Sequence, residues 1–217
     1  MILVNFKLYK ESFGEGAIKL AKICKDVGEK QKVEIVPVVS ALDVYRVYKE
    51  VGIKPFLQHA DPIFDGAKTG FISPSQALCL GTRGVLVNHS EYKMKPGSIK
   101  KMFKFWPKEL EMVLCVQSWG QVEGWARNLK PTMMAYEPKY LIGNKERSVA
   151  TEKPEMIKKI AEKYKPIPLL AGAGIHDVND VKIAIKMGAL GILVASSVVK
   201  ATDPEKVLTE LATGFSV

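Results

Sequence analysis

No apolar run in this 217-residue chain approaches the ~18–20 residues that a membrane span needs; the longest, Ala189–Ser197, is about nine and holds glycine and serine. Cysteine is scarce. Cys24, Cys79 and Cys115 are odd in number and far apart, which argues against a disulfide framework and for a reducing compartment, the cytoplasm. The start, MILVNFKLYK, has no basic leader before its apolar stretch and no small-residue cleavage site, so no secretory signal is expected. Linkers, low-complexity tracts and composition breaks are missing, so one domain is expected over 1–217. Acid falls short of base: 32 lysines and arginines against 23 aspartates and glutamates give a net charge of +9. That excess permits an anionic ligand, a nucleic acid or an acidic protein and selects none of them. A membrane protein, a secreted mini-protein and a coiled coil are excluded. A compact globular domain is left.

What is present is a rhythm. Short runs of Val, Ile and Leu recur at Ile2–Phe6, Val33–Val39, Pro55–His59, Gly84–Asn88, Glu111–Val116, Thr132–Tyr136, Ile167–Ala171 and Gly191–Ala195. Most are apolar throughout rather than alternating, as strands covered on both faces are. Helical segments fall between them. Ser40 stands as an N-cap before a run that ends at Gly52, Ser73-Pro74 opens a short helix, and Ile99, Met102, Phe103 and Trp106 lie at i, i+3, i+4 and i+7. Lys153-Pro154, Asp177 and Asp203-Pro204 open three more, the second of them ending at Gly188. Eight units in 217 residues are roughly 27 residues each, the size of a strand, a helix and two short loops. Such alternation means a closed (β/α)8 barrel or a long doubly wound sheet. The barrel is preferred because it uses every unit, here as a compact variant with shortened helices and loops.

In a barrel, function sits at the C-terminal strand ends. There the sequence places Asn5 and Lys7 after the first run, Asn88-His89-Ser90-Glu91 after the fourth, and Glu137 after the sixth. Gly172 and Gly174 follow the seventh, and Ala195, Ser196 and Ser197 the eighth. Small residues let backbone amides approach an anion closely. A glutamate against an apolar wall can take a proton from a carbon beside a carbonyl, and a histidine or lysine can hold the oxygen where charge develops. Taken singly, each has a plainer reading: a rim lysine, a surface histidine, a strand-ending glutamate, turn glycines. Their convergence on one face points to proton transfer on a small phosphorylated carbonyl compound.

Asn5-Phe6-Lys7, Gln58-His59, Thr69-Gly70, Asn88-His89-Ser90-Glu91, Tyr136-Glu137-Pro138 with Leu141-Ile142-Gly143, the Gly172–Ile175 run and Ala195-Ser196 occur in that order over the whole chain. In these the sequence resembles the triosephosphate isomerase family in its short, archaeal form. The resemblance implies a TIM barrel that interconverts dihydroxyacetone phosphate and glyceraldehyde 3-phosphate, in glycolysis and gluconeogenesis, with no metal or organic cofactor. It implies Glu137 as the base, neutral His89 as the group polarising the carbonyl, and Lys7 as the cation stabilising enediolate and phosphate. Asn5 positions substrate, and Glu91 and Ser90 support the catalytic groups. Pro138–Ala150 becomes a lid containing Leu141, Ile142 and Gly143. The amides around Gly143, Gly172, Gly174, Ala195 and Ser196 meet the phosphate. Thr69 reaches into a neighbouring subunit's site, which implies a homo-oligomer, a dimer at least, with a dimer of dimers left open. The chain departs from the family's pattern in three places: Asn144-Lys145-Glu146-Arg147 at the lid's second hinge, Ser197 where glycine is usual, and Phe71 after Thr69-Gly70. Lys145 and Arg147 are candidates for extra charge near the phosphate.

Lys93–Lys108 holds six lysines and no acid. It reads as a solvated helix face rather than a nucleic-acid site, and weak association with an acidic protein partner is left open. Phe105, Trp106, Trp119 and Trp125 read as core or as an oligomer contact. His59 and Asp61 are two metal ligands without the companions a divalent site needs. A metal-dependent sugar-phosphate epimerase and a non-catalytic barrel are the alternatives. The shortage of strand-end His and Asp weighs against the first, and the Lys7, His89 and Glu137 set against the second.

Overall fold

The computed structural model describes residues 1–144 and 146–216, except for the side chain of Arg127. Eight strands run in chain order: β1 Ile2–Asn5, β2 Ile35–Val39, β3 Phe56–Leu57, β4 Gly84–Val87, β5 Glu111–Val116, β6 Met133–Tyr136, β7 Leu169–Ala171 and β8 Gly191–Val194. Each pairs in parallel with the next, and β8 pairs with β1, which closes the barrel and excludes the open sheet. Around it lie α1 Glu15–Gln31, α2 Val44–Val51, α3 Pro74–Cys79, α4 Pro96–Phe103, α5 Trp119–Leu129, α6 Val149–Glu152, α7 Pro154–Lys163, α8 Val178–Lys186, α9 Ser196–Val199 and α10 Pro204–Thr213. Among the described residues no helix is long and apolar enough to cross a membrane.

The strands are apolar on both faces because each face has its own core. Leu3, Val36, Val38, Phe56, Leu86, Val113, Cys115, Met133, Ala135, Leu170 and Leu193 fill the barrel. Their neighbours Ile2, Val4, Ile35, Val85, Leu114, Met134 and Ile192 pack outward under the helices. Side chains alternate along a strand, so the next inward position above the last plug residue of a strand opens on the barrel's mouth. Stepping two from Leu3, Leu86, Ala135, Leu170 and Leu193 reaches Asn5, Asn88, Glu137, Gly172 and Ala195. Of these, Asn5, Glu137, Gly172 and Ala195 line one space as a consequence of pleat and closure.

Helix starts at Ser73-Pro74, Asp177 and Asp203-Pro204 are capped as expected: each cap side chain accepts a backbone N–H from the first turn. Ser40 is different. Its hydroxyl donates to Asp43 Oδ2 at 2.9 Å, Asp43 Oδ1 accepts the Gly14 N–H, and α2 begins only at Val44. Trp106 also falls outside its expected helix. α4 stops at Phe103, and the indole N–H of Trp106 donates to the Leu110 carbonyl at 2.6 Å. The 17-residue α1 carries no start signal in the sequence, since its N-cap is Gly14, at φ 57°.

Candidate active site

Asn5, Lys7, His89, Glu137, Gly143, Gly172, Gly174, Ala195 and Ser196 all line one cavity of about 490 Å³ at the C-terminal mouth. A larger one, about 840 Å³, lies beside the N-terminal ends of β6 and β7, with Lys130, Thr132 and Tyr164 among its walls. It holds none of the strand-end residues, so the chemistry belongs to the smaller cavity.

Lys7 follows β1 in a left-handed conformation, φ 50°, which costs energy for a residue with a Cβ. Two bonds hold it there: its N–H donates to Asn5 Oδ1 at 3.0 Å, and its carbonyl accepts from the Gln58 amide at 2.8 Å. Its ammonium meets Glu91 Oε1 at 2.7 Å. Asn88 is likewise left-handed, φ 63°, and its side chain bridges the Cys115 carbonyl and the Met94 N–H, each at 3.0 Å. That turn presents His89 to the cavity. The Glu91 N–H donates to His89 Nδ1 at 3.3 Å, which leaves the proton of a neutral ring on Nε2. Nε2 stands 3.6 Å from Glu137 Oε1 across the mouth. Ser90 Oγ is buried without a hydrogen-bond partner among the described residues.

Glu137 is 3 % exposed, and among the described residues its Oε2 has no hydrogen-bond partner. Burial pushes the carboxyl up to about 7, against the Cys115 thiol and the Lys7 and Lys93 ammoniums, which pull it down. Burial pushes His89 the other way, to about 4, with Glu91 opposing and Lys7 and Lys93 adding to the shift. The site thus holds a carboxylate near its titration point beside a neutral imidazole. Gly172 makes room for the carboxylate: a Cβ there would stand 2.6 Å from Glu137 Cγ.

The other half of the cavity is backbone. Gly174 has φ +66°, and a Cβ on it would collide with the Arg147 carbonyl, so the loop after β7 packs directly on the end of the lid. Within the lid, Lys139–Leu141 forms one 3₁₀ turn, Leu141 is buried, and Ile142, Gly143 and Asn144 line the cavity. The Asn144 side chain accepts the N–H groups of Glu146 and Arg147, both at 2.9 Å, which gives the altered hinge its turn. Arg147 is not among the lining residues, and Lys145 lies outside the described ones. Ser197, where glycine is usual in the family, does not take a positive φ, and its hydroxyl donates to the Ile175 carbonyl at 3.3 Å.

Ile175, the end of the Gly172–Ile175 run, also lines the cavity, as do Tyr9, His176 and Lys200, which escaped the sequence reading. They lie four to six residues beyond the strands, where the period of two no longer applies. Thr69 lies away from this cavity, at an exposed turn between Phe64 and Phe71, both exposed. His59 Nε2 and Asp61 Oδ1 lie 3.3 Å apart, and among the described residues no third His, Cys, Asp or Glu joins them in a group able to hold a metal. Trp106, Trp119 and Trp125 pack partly buried on the core, and Phe105 stacks on Phe64 at 4.2 Å between centroids.

The family model described as triosephosphate isomerase matches residues 1–212. A triosephosphate isomerase of Saccharolobus solfataricus is 39 % identical over 98 % of this chain and 95 % of its own length. One from Methanothermus fervidus is 38 % identical over 98 % and 97 %, and one from Metallosphaera sedula 37 % over 99 % and 95 %. The chain belongs to the triosephosphate isomerase family.

Proposed function

We propose that this member of the triosephosphate isomerase family interconverts dihydroxyacetone phosphate and glyceraldehyde 3-phosphate, a step of glycolysis and gluconeogenesis, in the cytoplasm. The observation that carries the reading is the pair across the mouth: the buried carboxylate of Glu137, its Oε1 facing the Nε2 of a neutral His89 at 3.6 Å. Glu137 takes the proton from the substrate carbon next to the carbonyl, and the electron pair moves onto the carbonyl oxygen. His89 donates from Nε2 to that oxygen and then takes the proton of the neighbouring hydroxyl. Glu137 returns its proton to the other carbon, so nothing is gained or lost overall. Lys7 stabilises the charge of the enediolate and of the phosphate, and Asn5, which holds the Lys7 turn, positions both. Glu91 orients His89 and Lys7. Amides around Gly143, Gly172, Gly174, Ala195 and Ser196 receive the phosphate, and the Pro138–Ala150 lid keeps water from the enediolate. No metal or organic cofactor takes part.

A coupled isomerase assay on the wild type and Glu137→Gln tests this. The wild type is expected to turn over, and the variant to lose about 10³-fold or more in kcat. A wild type without isomerase activity, or a fully active variant, overturns the reading.

The enzyme works as a homo-oligomer, a dimer at least. A cavity of about 400 Å³ beside Lys7, bounded by Leu8, Gln58, His59, Glu91 and Tyr92, is where a partner's loop bearing Thr69 would enter. Exposed Leu8, Phe64, Phe71 and Tyr92 supply apolar surface for that contact. Sedimentation velocity should report no monomer at assay concentrations; a fully active monomer refutes it.

A further inference from the structure

One buried carboxylate outside the proposed chemistry joins two parts of the phosphate side. Asp180, in the first turn of α8, is 5 % exposed. Its Oδ1 accepts the Ser148 hydroxyl, and its Oδ2 accepts the His176 backbone N–H at 2.9 Å. Ser148 lies near the end of the lid segment and caps α6, taking the Thr151 N–H at 3.0 Å. His176 stands at the end of the loop after β7 that carries Gly172 and Gly174. The same two segments touch again where the Val149 N–H donates to the Ala173 carbonyl at 2.8 Å and where Gly174 packs on the Arg147 carbonyl. Asp180 is itself held, because its N–H donates to Asp177 Oδ1 at 2.9 Å.

We infer that Asp180 is a positioning residue that clamps the end of the lid to the phosphate-facing loop. Through it, grip on the phosphate and retention of the enediolate are set together. The inference rests on the isomerase reading and deepens it. With one oxygen on each segment, the carboxylate fixes their spacing. Without it, a lid resting only on Ala173 and Gly174 lets the enediolate follow its other course. In that course the C–O bond to phosphate breaks, phosphate leaves with the electron pair, and the remaining enol becomes methylglyoxal.

The test compares wild type, Asp180→Asn and Ser148→Ala. It reads kcat, KM for glyceraldehyde 3-phosphate, binding of inorganic phosphate by calorimetry, and phosphate released per isomerisation. Losing one hydrogen bond to a charged group is expected to raise KM and weaken phosphate binding together by about tenfold. Phosphate release per turnover should rise severalfold, more than kcat falls. A lower kcat with KM, phosphate binding and the release ratio unchanged overturns the clamp, as does a full set of wild-type values. Ser148→Ala removes only the lid side and carries the test if Asp180→Asn does not fold. Should the wild type fail to isomerise triose phosphates, the isomerase reading falls. Phosphate binding by the three proteins then still supports the clamp if the variants bind weakly, and overturns it if they match the wild type.

Discussion

The two halves of the cavity are built by opposite means. On the side of β1, β4 and β6, side chains carry the chemistry, and the backbone is bent to aim them: Lys7 and Asn88 both hold positive φ against steric cost. On the side of β7, β8 and the lid, the backbone carries the chemistry, and side chains are small so that it can come close. Glycine at 172 and 174 leaves space that a single Cβ would fill. The first half is therefore sensitive to what a side chain is and how long it is. The second is sensitive to whether any side chain is there at all.

Shortening the base tests the first half most severely. Glu137→Asp withdraws the carboxylate by one methylene, and a misplacement of about 1 Å costs on the order of 10²-fold in rate. We expect kcat to fall by at least that factor with KM little changed; a loss in KM alone would mean that Glu137 binds rather than reacts. Gly172→Ala crosses the boundary between the halves. The added methyl would stand 2.6 Å from Glu137 Cγ and push the carboxylate aside, so the small residue should behave like an acid–base residue, with about a 10²-fold loss in kcat. If Gly172→Ala raises KM and spares kcat, the two halves are separate after all.

Acidity gives the smallest effect. Glu137 must be ionised to act, so kcat/KM should fall about tenfold per pH unit below its value near 7. His89, pushed to about 4, adds no limb above pH 5. Stability follows with opposite signs. Glu137 titrates higher in the fold than its reference value of 4.5, so its contribution is present at low pH and is lost as pH rises through about 7. His89 titrates lower than 6.5, so its contribution is lost as pH falls from there toward 4. Thermal unfolding of Glu137→Gln should accordingly gain on the wild type as pH rises from 5 to 8. A constant difference would mean that burial does not shift this carboxyl.

How far these features were legible varies with their cause. The eight strands were readable because both faces of each are covered, which leaves unbroken apolar runs. Lys7, His89, Glu137 and the glycines were readable because they sit one pleat or turn past those runs. α1 was invisible, since a glycine cap leaves no side-chain mark. Ser40 misled because its hydroxyl is spent on Asp43, which in turn holds Gly14, a tie across 29 residues that no local pattern shows.

By itself the sequence determined the number of strands, their order and the residue types at their ends, because burial and chain alternation are written locally. Tertiary structure alone decided that the sheet closes, that Glu137 and His89 lie 3.6 Å apart, and that their acidities move in opposite directions. Each of these depends on groups brought from distant parts of the chain into one space from which water is largely excluded. Distance and desolvation there are properties of the packed molecule, and no stretch of sequence holds them.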